Sequence, residues 1–154
     1  MKTKLNENDI ERIAEIEASL FKDKAWSLEL LKSELESPEN LVIFVKDDFS
    51  EIVGYIIIRI IHDEAEVLRF GVKKENQGKG IGKRLLMTAL DELRRRGIKK
   101  VFLEVSVDNI KAQRLYENFE FKKVGERKDY YSLGKSGFIM CKILEEGSHV
   151  KGRD

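Results

Sequence analysis

Six residues, Gln77-Gly78-Lys79-Gly80-Ile81-Gly82, constrain this chain more than any other segment. Three alternate glycines stand directly before the clearest amphipathic pattern in the sequence. Ile81, Leu85, Leu86, Ala89, Leu90 and Leu93 share one helical face, and Lys83, Arg84, Asp91, Glu92, Arg94 and Arg95 cover the other. A strand-like run, 65–72, precedes the glycines, so the order must be strand, glycine turn, then a helix over 80–96 that stops at Gly97. Glycines in such a turn let backbone N–H groups approach an anion, and the helix N-terminus adds partial positive charge. That geometry suits a phosphate or pyrophosphate. A flexible helix-start turn is the alternative, at an entropic cost for each glycine. Neither common nucleotide motif fits. Arg84 follows Gly82-Lys83 where a Walker loop needs Ser or Thr, and Lys83 or Leu85 occupies the last glycine position of the dinucleotide fingerprint.

The remaining periodicity builds around this unit. Ile10, Ile13, Ile16, Leu20 and Phe21 predict a helix over 9–21, capped by Asn8 or Asp9. A second helix starts at Ser27 and ends before Pro38, which disfavours helix in the residue preceding it. Segments 41–46 and 51–61, joined by a turn at 47–50, read as a hairpin, and 65–72 as a third strand. Further strands are predicted at 100–106, 121–131 and 138–144, with a helix over 109–118. The order ααβββαβαββ predicts one α/β (α+β) domain with a mixed sheet over 1–145, followed by a polar tail, 146–154.

Composition excludes several function classes. A hydrophobic share of 42% in 154 residues suffices for one core. Lys+Arg of 29 against Asp+Glu of 28 leaves a net charge of +1, with no global attraction for nucleic acid or an anionic membrane. Cys141 is the one cysteine, so a disulfide framework and a Cys-rich zinc site are excluded; inside an apolar strand it reads as packing. No apolar run is long enough to span a bilayer, and residues 1–8 lack a secretory signal's apolar stretch, so a cytoplasmic location is expected. His62 and His149 are too scattered for a triad, and His62-Asp63-Glu64 with Glu66 reads as a solvated turn, so no metal is predicted. The basic residues Arg94, Arg95, Arg96, Lys99 and Lys100 suit a solvated helix end better than an RNA contact.

One acid interrupts the strand Val101-Phe102-Leu103-Glu104-Val105. Alternation puts Glu104 on the face of Phe102, and a covered carboxylate there would be desolvated into the range useful for a general base. An equally good reading pairs Glu104 with a nearby Lys or Arg. Tyr116 lies on the apolar side of its helix and reads more readily as a core aromatic than as an acid, although its buried hydroxyl needs a partner.

Together these segments resemble the GNAT superfamily of acetyl-CoA-dependent N-acetyltransferases. The stretch 77–82 is similar to that family's Q/R-x-x-G-x-G/A acyl-CoA motif. Leu103-Glu104-Val105-Ser106-Val107-Asp108-Asn109, Ala112 with Leu115-Tyr116-Glu117, and Glu126-Arg127-Lys128-Asp129-Tyr130-Tyr131 resemble its RimI-type and archaeal N-terminal acetyltransferase branch. Ile16-Glu17, Phe21 and Trp26 extend the resemblance to nearly the whole chain. It departs at Glu120, where many members have a glycine; a position needing φ > 0 would disfavour Glu.

The resemblance implies a mostly antiparallel central sheet flanked by helices, and acetyl-CoA as the cofactor. It implies that backbone groups of Phe70, Gly71 and Val72 hold the acyl and pantetheine part. Gln77, Gly78, Lys79, Gly80, Ile81, Gly82 and Lys83 would cradle the pyrophosphate, and Asn109 would contact the cofactor further along. Glu104 matches the general base, Tyr116 the general acid, and Trp26, Tyr130 and Tyr131 the peptide entrance. The expected activity is acetyl transfer to a protein's N-terminal α-amine, with a ribosomal protein among the candidate acceptors. An α-amine, with a pKa of about 7.7–8.0 against about 10.4 for lysine, is already partly neutral near pH 7. A small-amine acetyltransferase (polyamine or antibiotic) and a non-catalytic acyl-CoA-binding module are the alternatives.

Overall fold

The computed structural model describes residues 5–132 and 135–144; the side chains of 129–132 and 135, and the predicted tail 146–154, lie outside the described residues. Among the described residues, four α-helices and six strands follow in the predicted order: α1 (Glu7–Phe21), α2 (Leu28–Glu36), β1 (Asn40–Lys46), β2 (Ile52–Ile61), β3 (Glu64–Val72), α3 (Ile81–Arg95), β4 (Lys100–Ser106), α4 (Ile110–Asn118), β5 (Lys122–Ser132) and β6 (Lys135–Ile143). The strands form one sheet in the order β1-β2-β3-β4-β6-β5. The chain divides into two compact units, each assembled from discontinuous segments: residues 1–59 with 68–90, and 60–67 with 91–154.

In the first unit, β1 and β2 pair antiparallel from Asn40–Arg59 to Val45–Gly54, with an irregularity before the turn. Asp47 holds that turn, its Oδ1 accepting from the amides of Phe49 and Glu51. Ile10, Ile13 and Ile16 of α1, Leu31 and Leu35 of α2, and Ile52, Tyr55 and Ile57 of β2 form the core. Local caps set the helix starts. The α1 cap is Asn6, not Asn8 or Asp9: the Asn6 side chain accepts from the Asp9 amide, and Asp9 accepts in return from the Asn6 amide. The reciprocal box satisfies two end amides where a cap at Asn8 would satisfy one. Ser27 caps α2 as predicted, accepting from Leu30 N–H, and Ser37 is extended before Pro38.

In the second unit, β3 and β4 run parallel over Glu64–Lys100 to Glu66–Phe102. Strand β6 lies antiparallel to β4 from Lys100–Ile143 to Ser106–Gly137, and β5 pairs with the far edge of β6. Val101, Leu103 and Val105 are buried while Phe102, Glu104 and Ser106 are partly exposed, so β4 is closed on one face only. The Glu104 carboxylate, expected to be covered, is therefore covered only in part.

The ends of α3 and α4 share one geometry with different residues. After α3, Ile98 N–H donates to Leu93 O and Gly97 N–H to Arg94 O, with Gly97 at φ +80. After α4, Phe121 N–H donates to Tyr116 O and Glu120 N–H to Glu117 O, with Glu120 at φ +69. The Tyr116 and Phe121 rings, 5.7 Å apart, supply the apolar contact that accompanies this motif. A glutamate therefore carries the left-handed strain that glycine avoids. Its carboxylate lies 3.5 Å from the buried Lys142 ammonium but is itself 84% exposed, so the pair contributes little. Glu120→Gly is expected to stabilise the chain by about 1 kcal/mol and raise Tm by about 2–4 °C. A lower Tm by calorimetry would show that the Lys142 pair outweighs the strain.

Candidate active site

The glycine turn sits where α3 begins, and the buried Gly54 lets that end of the helix lie close on the sheet. A Cβ at Gly54 would stand 3.1 Å from both Ile81 Cγ2 and Leu85 Cδ1 and 3.4 Å from the carbonyl of Gly71. Gly71 is equally confined, by Leu20 Cδ1 at 2.9 Å and the Tyr55 ring at 3.3 Å. Gln77 ties the turn to the end of β3, its Nε2 donating to Val72 O at 2.9 Å.

The turn itself is open. Gly78 and Gly80 have φ of +81 and +84, and nothing lies within 4 Å of where a Cβ would stand. The first bond of α3 runs from Arg84 N–H to Gly80 O, which leaves the amides of Ile81, Gly82 and Lys83 without intrahelical acceptors. The other three α-helices begin under Asn6, Ser27 and Asn109 side-chain caps; Gly80 has no side chain to offer. No acid stands in the first turn of α3, which carries Lys83 and Arg84 instead. Cations at a helix N-terminus oppose the dipole unless an anion joins them. An open helix N-terminus of this kind fits an anion such as a diphosphate.

In the second unit the acid–base candidates lie on β4 and α4. Glu104 is 17% exposed, and its Oε2 accepts from Arg127 Nε at 2.6 Å, so the arginine pairing left open by the sequence is present. Tyr116 is buried in the last turn of α4. Asn109 begins that helix as its cap, its Oδ1 accepting from Ala112 N–H, which moves the start predicted at Asn109 one residue on. Tyr130 and Tyr131 belong to β5, but their side chains lie outside the described residues. Phe70 is partly buried on β3. Burial pushes the Cys141 thiol above its ordinary pKa, with Lys100 opposing, so it is a poor nucleophile.

A buried cluster of the first unit escaped the sequence reading. Glu17, 1% exposed, accepts from the Tyr55 hydroxyl at 2.6 Å, the Trp26 amide at 2.9 Å and Arg69 Nε at 2.9 Å. The signal was available: Glu17 falls on the stripe of Ile10 and Ile13, and Arg69 interrupts an apolar strand as Glu104 does. Burial, then the charge of Glu17 and the bond donated to it, push the Tyr55 hydroxyl far above its ordinary 10.0, with Arg69 opposing. Because the folded pKa is raised, the neutral phenol's contribution is complete below about pH 10 and lost as pH rises beyond it. Urea unfolding from about pH 8 to 11 is expected to show a steeper alkaline loss in wild type than in Tyr55→Phe; parallel curves would contradict this.

Comparison with known proteins finds the same fold. The model of the acetyltransferase (GNAT) family matches residues 9–121. The chain is 40% identical over 142 residues to the N-alpha-acetyltransferase RimI of Mycobacterium tuberculosis, covering 88% of this chain and 87% of that protein. It is 33% identical over 129 residues to the ribosomal protein bS18-alanine N-acetyltransferase of Haemophilus influenzae, covering 84% and 86%. The crystal structure of the ribosomal-protein-S18-alanine N-acetyltransferase from Escherichia coli superposes with a TM-score of 0.84 at 25% identity, covering 93% and 92%.

The chain thus belongs to the acetyltransferase (GNAT) family. It is an acetyl-CoA-dependent N-acetyltransferase with that family's mixed, mostly antiparallel sheet.

Proposed function

We propose that this enzyme acetylates the N-terminal α-amine of a protein, with a ribosomal protein as the acceptor, in the cytoplasm. The observation that carries the acceptor is identity of 33–40% to proteins named for α-amine acetylation, over 84–88% of the chain. Acetyl-CoA supplies the acetyl group as a thioester. The open N-terminus of α3, with Gln77, Gly78, Lys79, Gly80, Ile81, Gly82 and Lys83, is assigned to its diphosphate, and Asn109 to a contact further along. The backbone of Phe70, Gly71 and Val72 is assigned to the acyl and pantetheine part, with an amide near Val72 steadying the charge that develops on the carbonyl oxygen.

Glu104 takes the proton of the incoming ammonium and Tyr116 returns one to the leaving sulfur. Arg127 fixes the orientation of the Glu104 carboxylate through Oε2. Trp26, Tyr130 and Tyr131 are assigned to the acceptor peptide. The test is thiol release with acetyl-CoA and three amines: a peptide beginning with alanine, its N-terminally blocked form carrying an internal lysine, and spermidine. Turnover of the free α-amine alone is expected. Rapid turnover of spermidine with an inert peptide would overturn the reading.

A further inference from the structure

We propose that Arg69 is a positioning residue for the acceptor: with Glu17 it sets the turn between α1 and α2 and holds the Trp26 ring in place. The proposal rests on the assignment of Trp26 to the acceptor side. Lys22, first in that turn, has φ +50 and ψ −118, a conformation that L side chains rarely adopt. Such strain persists only where surrounding contacts over-determine it.

Those contacts come from two side chains. The Arg69 guanidinium stands 4.0 Å from the Phe21 ring centroid and 4.9 Å from that of Trp26. Its Nη2 donates to Lys24 O at 2.7 Å, and it meets Glu17 Oε2 through Nε at 2.9 Å and Nη2 at 2.7 Å. The same Glu17 oxygen takes the Trp26 amide, and Oε1 takes the Tyr55 hydroxyl. The beginning, middle and end of the turn are therefore tied to one ion pair, the buried Glu17 with the partly buried Arg69. The planar guanidinium can stack on rings while donating in a fork, which lysine cannot do. Arg69 also precedes Phe70, Gly71 and Val72 on β3, so the strand assigned to the acyl group also sets the turn assigned to the acceptor.

Trp26 is the only tryptophan, so its fluorescence reports this turn directly. In Arg69→Lys, the KM for the acceptor amine is expected to rise about tenfold to a hundredfold. The kcat and the KM for acetyl-CoA should hold, and Trp26 emission should shift to the red. Arg69→Gln alone would strand a buried carboxylate, so the second variant is Glu17→Gln with Arg69→Met, which removes both charges and should show the same KM split. Wild-type acceptor KM and emission in both variants, with only a lower Tm, would reduce the cluster to a stabilising role and overturn the proposal. The KM is read with whichever amine the wild type turns over. Failure of the α-amine reading thus shows in wild type, and failure of this inference only in the variants.

Discussion

Glu104→Gln is expected to lower kcat/KM for an α-amine acceptor by about 10²–10⁴-fold near neutral pH, with the acetyl-CoA KM and Tm close to wild type. Gln keeps the shape and a hydrogen-bonding oxygen but cannot take a proton. Stability should hold because the ion pair it breaks has a partner, Arg127, that is 54% exposed, and such pairs are worth about 0–1 kcal/mol. The deficit should shrink as pH rises past the amine's own pKa of about 7.7–8.0, since the acceptor then arrives neutral. Steady-state rates from pH 6 to about 9 measure this. A variant with full kcat/KM across that range would remove the base role from Glu104.

Gly80→Val is expected to raise the KM for acetyl-CoA about tenfold to a hundredfold for each charge-assisted hydrogen bond lost at the start of α3. At φ +84 a β-branched residue is strained, so the turn must move and carry the amides of Ile81, Gly82 and Lys83 away from the anion. Packing is not the cause, because the position of the new Cβ is open. Gly97 supplies the control. It has φ +80 and the same open surroundings, but stands at the opposite end of α3. Gly97→Val should cost a similar amount of stability, about 1–3 kcal/mol, and leave the acetyl-CoA KM unchanged. Equal KM increases in the two variants would mean that general destabilisation, rather than a lost phosphate cradle, explains the effect.

Much of this was legible in the residues. Helix period fixed α3 because Leu85, Leu86, Ala89 and Leu93 have no other way to share a face, and Gly97 marked its end. Pro38 and Ser27 bounded α2 for reasons internal to those residues. Strand order was not legible: β6 inserts between β4 and β5, and no local pattern says which neighbour a strand chooses. The glycine turn was readable because alternate glycines have a cost that a bare turn does not repay. The Glu104 partner was not, since Arg127 is 23 residues away and reaches it only through sheet pairing. Glu120 shows the opposite case. The departure from glycine raised the question of whether this position needs φ > 0, and Glu120 adopts it, at φ +69.

The most direct test is mass spectrometry of an alanine-initiated peptide incubated with the enzyme and acetyl-CoA. One acetyl group on the α-nitrogen, formed with an equal amount of free coenzyme A thiol, is the result expected. An unmodified peptide, or an acetyl group found only on a lysine side chain or a polyamine, would contradict it.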